Sequence, residues 1–255
     1  MTPWDRLAEE LDAWKAAEKT AEFWWRDDDA IDVTPELERL LALRTTLDLP
    51  LALAVIPAPA RPELAEALKG QTGVDILQHG YAHISHRPAG AKKAELGADR
   101  GLWDIARELS DGRGWMVEFF DTDWLSVMVP PWNRIDPEVA NLLPGLGFHG
   151  LTTFNAREAA GQIDELMIVN THVDIVDWAG RGGYRGDDAV LSATIDHLAA
   201  KRSGSADPYE ATGILTHHLV LDDAGWNFIE KFGRFTVEHP AVSWRAAAHL
   251  FPMPS

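Results

Sequence analysis

Short apolar runs recur along this chain, and between them lie longer stretches in which apolar positions return every three or four residues. The runs are EFWWR (22–26), LALAVI (51–56), VDILQ (74–78), SVMV (126–129), GLTTF (150–154), LMIVN (166–170), GILT (213–216) and AVSW (241–244). They are mostly apolar throughout instead of alternating, the pattern of strands covered on both faces. The longer stretches read as amphipathic helices. TPELERLLALR opens on Thr34 as N-cap with Pro35 in the first turn, and DPEVANLLPGLG repeats the device at Asp136. RPELAEALKG, RGLWDIARELS, DDAVLSATIDHLAAK and DAGWNFIEKF complete the set, and residues 1–20 form a helix ahead of the first strand.

Strands alternating with helices predict a parallel sheet. Seven or eight such units in 255 residues predict a (β/α) barrel, one domain spanning residues 1–255. The polar residues favour closure. Asp27 and Asp28 follow the first strand, His79 the third, Pro130 to Asn133 the fourth, His172 and Asp174 the sixth, and His217 and His218 the seventh. Chemistry at the C-terminal ends of several strands is the barrel arrangement, in which those ends share one mouth.

Lys and Arg number 23 against 40 Asp and Glu, a net charge of −17. Phosphate backbones and anionic lipid would be repelled, which argues against nucleic-acid and membrane partners. With no cysteine, any metal must be held by histidine and carboxylate. MTPWDRLAEELDAWK has no apolar signal core, and no run of about 18 apolar residues occurs, so a cytoplasmic location is expected.

Five short motifs carry the chemistry. FWWRDDDA (23–30) gathers Asp27, Asp28 and Asp29, which repel one another unless a cation or a turn accommodates them. HGYAH (79–83) sets His79 and His83 four apart, within reach of one metal if the segment turns helically, with His86 close behind. An isolated pair of this spacing is more often two loop histidines. THVDIVDW (171–178) holds His172, Asp174 and Asp177 before Trp178; such a carboxylate either orients a catalytic histidine or caps a turn. ILTHH (214–218) ends a strand on adjacent histidines that must face opposite sides. VPPWNR (129–134) is stiffened by Pro130 and Pro131 and presents Trp132 and Asn133.

Taken in order, DDD, H-x-x-x-H, PPW, D-x-x-D-W and L-x-H resemble the motifs of the polysaccharide deacetylase family, across about residues 22 to 220. The resemblance implies a distorted (β/α) barrel that removes acetyl groups from N-acetylated sugars with a divalent metal, often zinc. Residue by residue, it makes Asp27 the general base, Asp28, His79 and His83 the metal ligands, Asp174 the support of the catalytic histidine, and His217 the general acid. Pro131, Trp132, Asn133 and Trp178 would face a small-molecule or oligosaccharide substrate. Two departures stand out. Val129 occupies the place of the arginine that usually precedes the family's Pro-Pro and pairs with the base, leaving Arg26 or Arg134 as substitutes. Asp29 occupies the usual glycine, which leaves a register one residue later as the alternative to the one above, with Asp28 as base, Asp29 as ligand and Ala30 for the glycine. A cyclic-amide or metal-independent hydrolase on the same fold, and a degenerate carbohydrate-binding barrel, are the competing readings.

Overall fold

A computed structural model describes residues 1–157, 163–180 and 182–253. Its parallel strands are β1 (Ala21–Ala30), β2 (Leu51–Val55), β3 (Val74–His79), β4 (Val127–Val129), β5 (Gly150–Leu151), β6 (Met167–Ile168), β7 (Val173–Asp174), β8 (Thr212–Thr216) and β9 (Val242–Trp244). The helices are α1 (Pro3–Ala16), α2 (Pro35–Leu47), α3 (Pro62–Leu68), α4 (Leu102–Phe120), α5 (Pro137–Ala140), α6 (Asp187–Ser203), α7 (Asp223–Val237) and α8 (Ala247–Leu250). The sheet runs β6-β5-β4-β3-β2-β1-β8-β7, with β9 beside the start of β1. It curls into a distorted (β/α) barrel that is left open between β6 and β7 among the described residues.

The caps read from the sequence form. Thr2 and Thr34 accept hydrogen bonds from the backbone N–H groups of Asp5 and Leu37, and Pro3 and Pro35 fill the first turns. No helix among the described residues is long and apolar enough to cross a membrane.

The pleat sorts the strand side chains into two cores. Trp24, Ala52, Ala54, Leu77, Val127 and Val129 pack inside the barrel with Phe251 from the chain's end. Phe23, Trp25, Leu51, Leu53, Val55, Ile76 and Ile214 face outward against the helices. Trp24 is fully buried in this interior, edge-on to Phe251, and donates from Nε1 to the Asn170 carbonyl at 3.0 Å. Across from it, a Cβ on Gly213 would lie 2.5 Å from that nitrogen and 2.6 Å from the Thr171 Cα, so only glycine fits.

The strands expected at 150–154 and 166–170 shrink to two residues each, and a short strand at 173–174 was not foreseen. The reason lies inside the barrel. The Thr152 carbonyl accepts from the Arg26 guanidinium and the Thr153 N–H donates to Asn170 Oδ1, so these two backbone groups leave the ladder, while the Thr153 carbonyl still accepts from the Thr171 N–H at 3.0 Å.

Gly213→Ala should destabilise the protein by about 1–3 kcal/mol, because the new methyl meets backbone on one side and the buried indole on the other. Urea denaturation checks this; an unchanged midpoint would contradict the packing described.

Candidate active site

The three consecutive carboxylates that end β1 have three different fates, decided by the pleat and by one bulge. Asp27 shares the outward face with Trp25. Its Oδ2 accepts from Thr216 Oγ1 at 2.6 Å, its Oδ1 meets His218 Nδ1, and Trp25 Nε1 donates to Thr216 Oγ1 at 2.9 Å. Asp28 faces inward with Arg26. The guanidinium grips it with both arms, Nε to Oδ1 at 2.9 Å and Nη2 to Oδ2 at 3.0 Å. At Asp29 the pairing of β1 with β2 slips, and φ becomes +76°. Such a bulge re-aims a side chain, and here it turns Asp29 to the same inner mouth as the histidines.

Asp29 Oδ1 lies 3.2 Å from His79 Nε2 and 3.4 Å from His83 Nε2. This trio is one of two groups of metal-ligating residues close enough to share an ion among the described residues. Asp28, read from the family pattern as a ligand, is committed to Arg26 instead. Asp27, read as the base, points to the far side of the strand. Of the three aspartates it is Asp29 that lies against His79 and His83.

The trio fits a cation. His79 Nδ1 lies 2.9 Å from the Val129 carbonyl and donates to it, so the Nε2 that faces Asp29 is the nitrogen free to ligate an ion when the ring is neutral. Asp29 Oδ1 is a buried atom with no hydrogen-bond partner. Burial opposes the ionisation of Asp29, but the imidazole of His79 and the charges of His79, His217 and His83 overcome it and hold the carboxyl well below its ordinary range. One carboxylate oxygen and two imidazole nitrogens converge on a common space, a donor set that suits a divalent ion once both rings are neutral. His86 stands outside this group, exposed and paired with Arg100.

Arg26, one of the two substitutes considered for an arginine at Val129, is fully buried. Beyond Asp28 it donates to Thr152 Oγ1 at 2.8 Å and to Asn133 Oδ1 at 2.6 Å. The last bond anchors the Pro-Pro turn, where Trp132 and Asn133 both adopt left-handed backbone at φ +56° and +55°. So held, the Trp132 ring rests on His83, 4.3 Å between centroids. Pro131 packs on Gly80. Arg134, the other substitute considered, is exposed and donates to the Lys93 carbonyl.

His217 ends β8 on the inward face, as alternation demands once His218 faces out. Its Nδ1 is buried without a partner. Asp174 does not hydrogen-bond to it; Asp174 Oδ2 accepts from Trp178 Nε1 at 2.7 Å and Oδ1 from the Val176 N–H. Trp178 in turn stands edge-on to His217, 4.8 Å between centroids. Burial raises the Asp174 carboxyl, against the opposing charge of His217. Asp177 caps a turn by accepting from the Gly180 N–H.

The second group of ligand-type residues, His172, His197 and Glu210, sits at the opposite end of β8. Its tautomers speak against a metal. The Gly213 N–H donates to His172 Nδ1 at 2.9 Å, which puts the imidazole proton on Nε2, facing Glu210 Oε2 at 3.3 Å. His197 stacks on His172, and both His197 Nδ1 and Lys201 Nζ meet Thr212 Oγ1. Burial, reinforced by His172 and Lys201, pushes His197 down to about 3.

No family model matches the chain, and no curated protein matches it by sequence. Solved structures do match in fold. The peptidoglycan N-acetylglucosamine deacetylase Bc1960 superposes with a TM-score of 0.59 at 15% identity, over 92% of this chain and 90% of that one. The chitin deacetylase from the fungal pathogen Colletotrichum lindemuthianum gives 0.57 at 14%, over 92% and 89%. A family 4 acetyl xylan esterase from Clostridium thermocellum, in complex with a cobalt ion, gives 0.54 at 13%, over 90% of each chain. At these identities the likeness is one of fold.

Two expectations follow. Arg26→Met leaves the Asp28 carboxylate buried and unpaired, and should cost about 3–5 kcal/mol in chemical denaturation; a loss below 1 kcal/mol would mean that the pair is not closed in solution. For His197, the folded value lies below the ordinary 6.5, so the unfolded chain takes up the proton first. Its neutral form supports the fold above pH 6.5, and that support is lost as pH falls from 6.5 towards 3. Thermal melts across this window should fall less steeply for His197→Gln than for the wild type.

Proposed function

We propose that the protein is a metal-dependent hydrolase that removes an acetyl or related acyl group from an N-acylated sugar or a similar small molecule. The observation that carries this reading is the convergence of Asp29, His79 and His83 beside a second, arginine-held carboxylate, in a barrel shaped like those of deacetylases and an acetyl esterase.

Asp29, His79 and His83 would hold the ion; two imidazoles and a carboxylate suit zinc, and also cobalt, nickel or manganese. A divalent ion bound there would polarise the acyl carbonyl and acidify water. Asp28 serves as general base, receiving the proton of the attacking water on a carboxylate oxygen. Arg26 fixes both oxygens of Asp28 and so sets the direction from which that proton arrives. His217, across the mouth with Trp178 at its edge, gives a proton to the leaving nitrogen. Asp174 holds the Trp178 indole in place and so positions His217 at second hand. Trp178 is 57% exposed and offers a flat apolar face to a sugar ring, while Trp132 is shared between His83 and the ammonium of Lys93.

The test is elemental analysis and turnover of N-acetylated sugars for Asp27→Asn, Asp28→Asn and Asp29→Asn beside the wild type. About one equivalent of metal is expected in the wild type, and Asp29→Asn should lose it. Asp28→Asn should keep the metal and lose about 10²–10⁴-fold in kcat, the usual contribution of a general base. Asp27→Asn should keep the metal. Metal lost with Asp28 and retained in Asp29→Asn would restore the earlier register; a wild type that takes up no ion, even when supplied, would sink the metal mechanism.

A further inference from the structure

The two histidines of the trio are not held alike. His79 belongs to β3 and its ring is locked by the Val129 carbonyl. His83 lies beyond the strand, in left-handed backbone at φ +56°, and its ring leans on Trp132. What places it is therefore the turn from Gly80 to His83.

Inside that turn sits Glu95, only 1% exposed. A buried carboxylate is costly unless its oxygens are satisfied, and these are satisfied by backbone. Oε2 accepts from the Tyr81 N–H at 3.0 Å and Oε1 from the Ala82 N–H at 2.7 Å. Successive N–H groups converging on one anion form a nest, and here the anion is supplied from within the chain. Gly80, at φ +56°, makes room for it: a Cβ there would come within 2.1 Å of Glu95 Oε2 and 2.6 Å of Pro131. The Tyr81 carbonyl is tied in turn to the Ala58 N–H at 2.8 Å.

We infer that Glu95 is a positioning residue for His83, its carboxylate filling the backbone nest of the HGYAH turn and so setting the second imidazole against the first. It acts through the backbone, touching neither ring. With the nest filled, the rings stand 5.1 Å apart between centroids and both Nε2 atoms face Asp29. Without it, two partly buried N–H groups lose their acceptor and the strained turn loses that anchor. The inference rests on the metal-centre reading above.

Glu95→Gln tests it, because the amide keeps the shape but sets an NH₂ donor against one of the two N–H groups. Cobalt(II) and zinc(II) affinity, measured by competition with a chromophoric chelator, should weaken by about 10- to 100-fold, the range seen when groups behind a ligand are removed. The far-UV spectrum and the melting temperature of the metal-free variant should stay near wild type, which separates positioning from a general loss of structure. His83→Ala is the control that removes the ligand itself. Wild type that binds cobalt, His83→Ala that does not, and Glu95→Gln that binds as wild type would overturn the role of Glu95 while the metal centre stands. Failure of the wild type to bind would overturn the metal centre instead. Should Glu95→Gln not fold, amide hydrogen exchange in the metal-free wild type decides. The Tyr81 and Ala82 amides should be protected, and exchange at the rate of an open loop would mean that no nest exists.

Discussion

A guanidinium enclosed in a barrel has to find acceptors for all of its donors, and the arrangement of the mouth follows from how Arg26 does so. Its partners come from three places in the chain: Asp28 on its own strand, Thr152 and Thr153 at the end of β5, and Asn133 in the Pro-Pro turn. Each bond removes a freedom that the site cannot tolerate. Asp28 is fixed in the plane of the fork, the Thr152 carbonyl is drawn towards the barrel interior, and the Pro-Pro turn is pulled over the site. A lysine could satisfy one of these acceptors, but not a bidentate carboxylate and two further elements at once.

That anchoring explains where the strained backbone has accumulated. Asp29, His83, Trp132 and Asn133 all lie at positive φ without being glycine, and all four belong to the mouth. Such conformations cost about 1–3 kcal/mol each and persist only where the surroundings over-determine them. The surroundings here are the bulge against β2 at Asp29, the carboxylate of Glu95 beneath the turn that carries His83, and Arg26 behind Asn133. Strain and buried charge thus offset one another within a few ångströms, leaving Asp29, His79 and His83 directed at one point.

Behind the mouth, on the outer face, Asp27, Thr216, His218 and Trp25 form a closed hydrogen-bonded set that pins β1 to β8. It accounts for the adjacent histidines of ILTHH. His217 and His218 follow directly on β8, and with His218 pinned outward to Asp27 its neighbour His217 faces the mouth.

Much of this was legible in the residues themselves. Continuous apolar runs separated by capped amphipathic segments determine a parallel α/β barrel, because strands buried on both faces and helices buried on one leave no other pattern. The motif order located Asp, His, Pro-Pro-Trp and terminal His residues at one mouth, and His79, His83 and His217 do stand there. What the sequence could not decide was which of three adjacent aspartates does what. Period-two alternation assigns Asp27 and Asp28 to opposite faces, but the face belonging to each, and the bulge that brings Asp29 back inside, depend on how β1 registers with β2 and β8. Glu95 was invisible for a related reason: its partners are backbone N–H groups more than a dozen residues away, which carry no side-chain signature. Composition and periodicity determined the scaffold; the roles of individual carboxylates were decided by tertiary pairing, because a carboxylate's chemistry is set by the donors that surround it and those come from distant parts of the chain.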